Sequence, residues 1–217
     1  MIARKAILIT QMTQFQIFVS ERKTMNPSQN PSALRSKKII TETLLRLMTE
    51  YPYTEITVKH ILLESNISRK TFYRNFSSKD DVLNAYIDSI LNSYITCIIE
   101  QEHFSFLETL DTIFYFCEKN KNFLFILRDN ELLHLLLIKL NTLIPTEHQK
   151  IVSVNAKSND SSADHFLTDY VLFFNIGGMW NIITKWIEQD MRDSITDIKN
   201  TIAFYLSDVK HIDCRQF

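Results

Sequence analysis

Over most of this chain apolar residues recur every three or four positions, and in 217 residues only 2 Gly and 4 Pro interrupt the pattern. A β-rich chain of this length reverses direction about every eight to twelve residues and needs turn residues to do it. Helices need breaks only at their ends. Hydrophobic residues make up 45% of the chain, enough for a packed core. The expected fold class is therefore all-α, with a small N-terminal helix-turn-helix unit followed by a larger helical bundle.

Several function classes find no support in the residues. There is no Gly-rich phosphate loop, no nucleophile elbow and no His-Glu pair at zinc spacing, so neither an enzyme nor a cofactor is expected. Asp80 and Asp81 read as a charge pair at a helix start. Cys97, Cys117 and Cys214 have no metal-ligand spacing and no evident pairing, which fits thiols in a reducing compartment. The six histidines show no metal pattern either. No apolar run approaches the roughly 18–20 residues of a membrane span, and the Ala6–Ile9 run ends too early for a signal-peptide core. A cytoplasmic protein is expected.

Net charge is −1 overall but unevenly placed: +3 over residues 1–34, +5 over 35–79 and −9 over 80–217. A basic head on an acidic body suits a polyanion-binding module joined to a part that stays off the polyanion. Three segments follow: an extension and linker at 1–34, with a flexible stretch from Asn26 to Ser32; a basic, polyanion-binding head at 35–82; and an acidic body at 83–217. In the head, Ile39, Ile40, Leu44, Leu47 and Met48 mark one face of a helix from Arg35 to Glu50. Thr57 is placed to cap a second helix running to about Glu64, and Ser68 a third running to about Asn75. Ser77 or Ser78 with Asp80 or Asp81 resembles a capping box opening a long helix to about Glu100. Further helical patterns occupy roughly 104–119, 121–128, 131–142, 163–189 and 194–208, with a polar loop from Asn155 to Ser162.

The run from Thr57 to Lys79 thus contains two short helices joined by a tight polar turn at Asn66-Ile67, the layout of a helix-turn-helix whose second helix enters the major groove of double-stranded DNA. Arg69 and Lys70 lie in its first turn, placed for a guanine edge or a phosphate; the residues alone do not decide which. Thr57, Thr71 and Tyr73 offer hydroxyls to phosphate, next to the capping Ser68. Arg74 and Lys79 add charge on the flanks, Lys79 at a helix start suited to anions. Ile67, Phe72 and Phe76 are expected to hold the helix, each contributing about 1.5–3 kcal/mol if fully buried.

With those residues in view, the run from Lys38 to Leu83 resembles the N-terminal domain of the tetracycline-repressor (TetR) family of bacterial transcription regulators. Asn66-Ile-Ser-Arg-Lys-Thr-Phe-Tyr-Arg-Asn-Phe-Ser-Ser-Lys-Asp80 is the most recognisable part. Asn75 stands where a histidine is common, and Asn66 where glycine is common, although asparagine tolerates left-handed backbone angles. A weaker likeness to some Firmicutes-type members appears at Asn175-Ile-Gly-Gly-Met-Trp-Asn-Ile-Ile-Thr-Lys-Trp-Ile187. Gly177 and Gly178 each cost about 1 kcal/mol in a helix interior, and close approach of another helix is a reason for the pair.

The resemblance implies a repressor that binds a palindromic operator as a homodimer and is released by a small-molecule effector. It places a dimer interface on the last two helices, with Phe166, Phe173, Phe174, Ile183, Ile198 and Ile202 as candidates. Two recognition helices would then read half-sites about one turn apart. It also implies a pocket among the aromatic middle helices, where Phe114, Cys117, His134 and Tyr170 are candidates for the wall. For each of these residues ordinary core packing is the competing reading. A rival reading of the whole keeps the fold but makes it a co-activator that binds another protein and senses little ligand itself.

Overall fold

A computed structural model describes the backbone of residues 31–99, 106–155 and 162–208, and the side chains of 31–95, 109–146 and 170–207. Among the described residues there are nine α-helices, one short 3-10 turn and no strand. The expected 1–30 part of the extension and the greater part of the Asn155–Ser162 loop lie outside them. The chain divides into two compact units, Met1–Val82 and Leu83–Phe217.

The first unit opens with α1 (Pro31–Leu47). This helix starts earlier than expected: Pro31, read from sequence as linker, takes the first helical position, where its missing N–H costs nothing and its fixed φ already suits a helix. Ser36 Oγ donates to the Ser32 carbonyl at 2.9 Å within this first stretch. Ile40, Leu44, Leu45 and Leu47 form its buried face. The 3-10 turn Tyr53–Glu55 then leads through buried Ile56 to α2 (Val58–Ser65) and α3 (Arg69–Asn75), both packed on α1. Arg46 on α1 ties to Glu64 on α2 at 2.6 Å.

Helix α4 (Lys79–Ile99) begins in the first unit and continues in the second. It starts as the residues suggested. The Asp81 amide donates to Ser78 Oγ at 3.1 Å while Asp81 Oδ2 accepts from the Ser77 amide at 2.8 Å, a capping box with its return bond shifted by one residue.

The second unit adds α5 (Phe106–Lys119), α6 (Lys121–Asp129), α7 (His134–Asn155), α8 (Ser162–Glu188) and α9 (Ile195–Asp208). Its core gathers Ile87, Leu91, Leu110, Phe114, Leu127 and Ile187, all at most 2% exposed. Phe114 meets Trp186 edge to face at 5.0 Å, and the Trp186 indole N–H donates to the Asp193 carbonyl at 3.0 Å. Arg128 closes the end of α8: its Nη1 donates to the Ile187 carbonyl at 2.9 Å and to Asp190 at 2.8 Å, a cation at a helix C-terminus. Helix α7 runs well past the expected end near residue 142, straight through Pro145. A proline lacks the N–H for the carbonyl four residues before it and usually ends a helix; here the Thr146 hydroxyl donates to the Thr142 carbonyl at 2.7 Å, one residue along.

Candidate nucleic-acid interface

Both helices of the DNA-reading motif begin on side-chain caps. Thr57 Oγ1 accepts from the His60 amide at 3.2 Å, and Ser68 Oγ accepts from the Thr71 amide at 3.1 Å. Each of these bonds satisfies an amide that the first helical turn leaves without a partner. Between them Asn66 takes φ 53° and ψ 34°, the left-handed conformation that asparagine tolerates better than most side chains and that turns the chain sharply out of α2. Ile61, Phe72 and Phe76 point inward at 0%, 0% and 7% exposure, so α3 is held by its apolar side. Ile67 is half-buried.

That packing leaves the other side of α3 to solvent. Ser68, Arg69, Lys70, Tyr73 and Arg74 are exposed and Thr71 is half-exposed. The Thr71 hydroxyl lies 2.9 Å from Ser68 Oγ, so these two hydroxyls share a hydrogen bond. Tyr73 turns its ring edge-on to Phe72 at 5.4 Å while remaining 52% exposed. Arg69, Lys70 and Arg74 have no ion-pair partner among the described residues, and Thr57 is exposed at the start of α2. All eight sequence candidates therefore face solvent at least in part, seven of them from these two short helices and their caps.

Lys79 differs. Its ammonium donates to the carbonyls of Tyr53 at 2.6 Å and Ile56 at 2.8 Å and lies 4.3 Å from the centre of the Tyr53 ring. The flank charge expected from sequence is turned back into its own domain. Tyr53 in turn donates its hydroxyl to Asp80 at 2.5 Å. Burial, and then the Asp80 carboxylate, hold the Tyr53 phenol above its ordinary range, so it remains a donor. The basic total of the head is also partly offset by α1, where Lys38 pairs with Glu42 at 3.6 Å and Arg46 with Glu50 at 3.5 Å and Glu64 at 2.6 Å.

In the body, the four pocket candidates do not converge. Phe114 and Cys117 are core, 1% and 3% exposed. Burial, with a smaller push from Glu118, raises the Cys117 thiol to about 12, which keeps it protonated and unreactive at neutral pH. His134 is exposed at the start of α7, with Nδ1 3.0 Å from the Glu131 carbonyl, and Tyr170 is 64% exposed. An open groove of about 480 Å³ lies instead between the end of α8 and the start of α9, walled by Ile182, Lys185, Trp186, Asp197, Ile198 and Ile202 among others. Among the described residues no group of three His, Cys, Asp or Glu is placed to hold a metal, and no helix is long and apolar enough to cross a membrane.

The interface candidates divide. Phe173 and Phe174 are 46% and 76% exposed, and Val171, Phe204, Tyr205 and Leu206 join them as large exposed apolar side chains on α8 and α9. Ile198 and Ile202 are half-exposed and line the groove. Ile183 corrects the expectation: it is 4% exposed, used up in the core of its own chain. The side chain of Phe166 lies outside the described residues. A Cβ on Gly177 or Gly178 would meet nothing within 4 Å, so the glycine pair does not accommodate a neighbouring helix of the same chain.

Residues 40–86 match the family described as bacterial regulatory proteins, tetR family. No curated protein matches the sequence. Among solved structures the chain is similar to the dihydroxyacetone kinase operon activator DhaS, at 18% identity over 82% of this chain and 98% of that one, with a TM-score of 0.49. It is also similar to the fatty acid degradation regulator FadR from Bacillus halodurans, at 17% identity over 81% of this chain and 94% of that one, with a TM-score of 0.48. The match over residues 40–86 covers the stretch that holds the two capped helices and the exposed basic face, and it shows that this part of the chain is similar to the N-terminal domain of tetR-family regulatory proteins.

Proposed function

We propose that this chain is a transcription regulator of the tetR family that binds a near-palindromic DNA operator as a homodimer through Ser68–Arg74, represses transcription there, and is released when a small molecule binds its body. On this reading residues 35–82 are the DNA-binding domain, residues 83–217 are the regulatory and dimerisation body, and the protein works in the cytoplasm. The observation that carries the DNA-binding part is the exposed face of α3: Arg69, Lys70, Tyr73 and Arg74 stand out to solvent while Phe72 anchors the same helix at 0% exposure. The test is titration of full-length protein with its preferred duplex and with a mixed-sequence duplex at two salt concentrations. Affinity should fall steeply with salt, by a slope of about 0.9 for each phosphate neutralised, and the preferred duplex should bind more tightly at both. Equal affinity for the two duplexes, or no dependence on salt, contradicts the proposal.

The homodimer rests on the exposed apolar residues Val171, Phe173, Phe174, Phe204, Tyr205 and Leu206, all lying away from the turn that joins α8 to α9. Large clustered apolar side chains left in water mark interaction surfaces, and a twofold contact uses each of them twice. It also gives the open space beside Gly177 and Gly178 an occupant, a helix of the second copy. Phe174→Glu should weaken self-association by about 2–4 kcal/mol for each copy of the residue without unfolding the chain, because the side chain is 76% exposed. Sedimentation velocity across a concentration series measures this. Unchanged association places the interface elsewhere.

Effector control requires a ligand that binds one state of the dimer better than the other, since only differential affinity shifts an equilibrium. The α8–α9 groove, about 480 Å³, is open to solvent and lacks the enclosure usual for ligand sites, so this part rests on the family resemblance. Phe114, Cys117, His134 and Tyr170 no longer carry it.

A further inference from the structure

We infer that the open groove between α8 and α9 is the socket for Phe174 of the partner subunit, with α8 crossing its own copy antiparallel at Gly178. This placement rests on the homodimer proposed above and fixes where its twofold axis lies. Val171, Phe174, Gly178, Ile182 and Lys185 recur at spacings of three or four, so they form one stripe along α8. All are exposed except Ile182, which is half-exposed, so the stripe has little cover from its own chain. Its two ends differ. On one side of Gly178 stand the apolar side chains Val171 and Phe174, 58% and 76% exposed. On the other, Ile182 and Lys185, with Trp186 beside them, wall the groove of about 480 Å³.

Gly178 lies midway between the two ends. Phe174 and Ile182 are each four residues from it, about 6 Å along the helix, and Val171 and Lys185 are each seven. A twofold axis through Gly178, perpendicular to α8, therefore sets the protruding end of each copy on the grooved end of the other, twice over. The groove, open in one chain, is closed in the pair. A parallel pairing would set Phe174 on Phe174 and Lys185 on Lys185, leaving both grooves open and like charges opposed. The glycine supports the same crossing point. It costs about 1 kcal/mol inside a helix, yet a Cβ there would meet nothing of its own chain within 4 Å. Lacking one, it lets a second backbone come close at the axis. The area is also sufficient. Tyr170, Val171, Phe174, Phe204, Tyr205 and Leu206 together present on the order of 700 Å² of exposed side chain, near the ~800 Å² that each partner of a stable complex covers.

The test uses full-length protein and two measurements. Chains carrying Phe174→Cys and chains carrying Ile182→Cys are oxidised separately and after coexpression, with wild type giving the background of the native cysteines. The antiparallel pair brings these two positions, one from each copy, within disulfide reach. The coexpressed pair should therefore yield linked dimer, and each variant alone no more than wild type. In sedimentation velocity, Ile182→Trp, which fills the groove, and Phe174→Ala should each raise the dimer dissociation constant about tenfold. The double variant should raise it by clearly less than the product of the two, because both changes act on one contact. Linked dimer from Phe174→Cys alone, with none added by coexpression, places the axis at Phe174 and overturns the inference while keeping the homodimer. So does an absence of linked dimer from the coexpressed pair when wild type sediments as a dimer, or a double variant equal to the product of the singles. Wild type that stays monomeric overturns the homodimer and the socket together.

Discussion

Replacing Arg69 and Lys70 together by alanine is expected to abolish sequence-specific DNA binding while leaving the protein folded. A well-made contact to a base edge discriminates by about 1–3 kcal/mol, so losing two should cost about 2–6 kcal/mol, at least a thirtyfold drop in affinity for the preferred duplex. Neither side chain is buried, and the α3 cap is made by Ser68 and Thr71, so thermal stability should stay within about 0.5 kcal/mol of wild type. The single variants separate the two kinds of contact. A residue that reads a base relaxes preference at one position of the site. A residue on phosphate weakens all duplexes alike and lowers the salt slope by about 0.9. Wild-type affinity in the double variant, measured by fluorescence anisotropy, would remove α3 from the interface.

The second large effect is expected from the opposite side of the same helix. Phe72 is 0% exposed, meets Tyr73 edge-on at 5.4 Å and lies 6.2 Å from Phe76. Truncating a buried phenylalanine to alanine costs about 3–5 kcal/mol in lost transfer energy and residual cavity, a large share of the total stability of a domain. Phe72→Ala should therefore unfold or loosen residues 31–82 at temperatures where wild type is folded, and DNA binding should be lost with it. Here the loss follows from missing structure, whereas in Arg69→Ala/Lys70→Ala it follows from missing contacts. Hydrogen exchange over residues 31–82 tells them apart: fast in Phe72→Ala, wild-type in the double variant. Wild-type exchange in Phe72→Ala would show that α3 is not held by this side chain.

What could be read from the sequence follows a physical line between local and distant causes. Thr57, Ser68 and the Ser78–Asp81 box act on amides three residues away, and each cap was legible because the signal lies in the same short stretch as its effect. The left-handed turn at Asn66 was legible for the same reason. The bonds Lys79 makes within the head were not legible, because its partners Tyr53 and Ile56 are 26 and 23 residues away and nothing nearby in sequence announces them. Periodicity marked a helix over 163–189 but did not say what each face meets. Ile183 and Phe174 both looked like interface residues, yet one is core and the other is 76% exposed. The pocket candidates are split between core and surface for a related reason: periodicity alone did not say which side of its helix Cys117 or His134 occupies. Pro31 was read as linker but opens a helix, and the helical pattern read as far as residue 142 stopped short of Pro145, which lies inside one.

The central claim is that this chain reads DNA sequence as a symmetric pair of α3 helices. Selection of the full-length protein's preferred sites from a random duplex pool tests it in one measurement. The account predicts enrichment of a near-palindromic sequence whose half-sites are centred about 10 base pairs, or a small multiple of that, apart. A pool that remains random after selection would contradict DNA reading, and an enriched site with a single asymmetric element would contradict the symmetric pair.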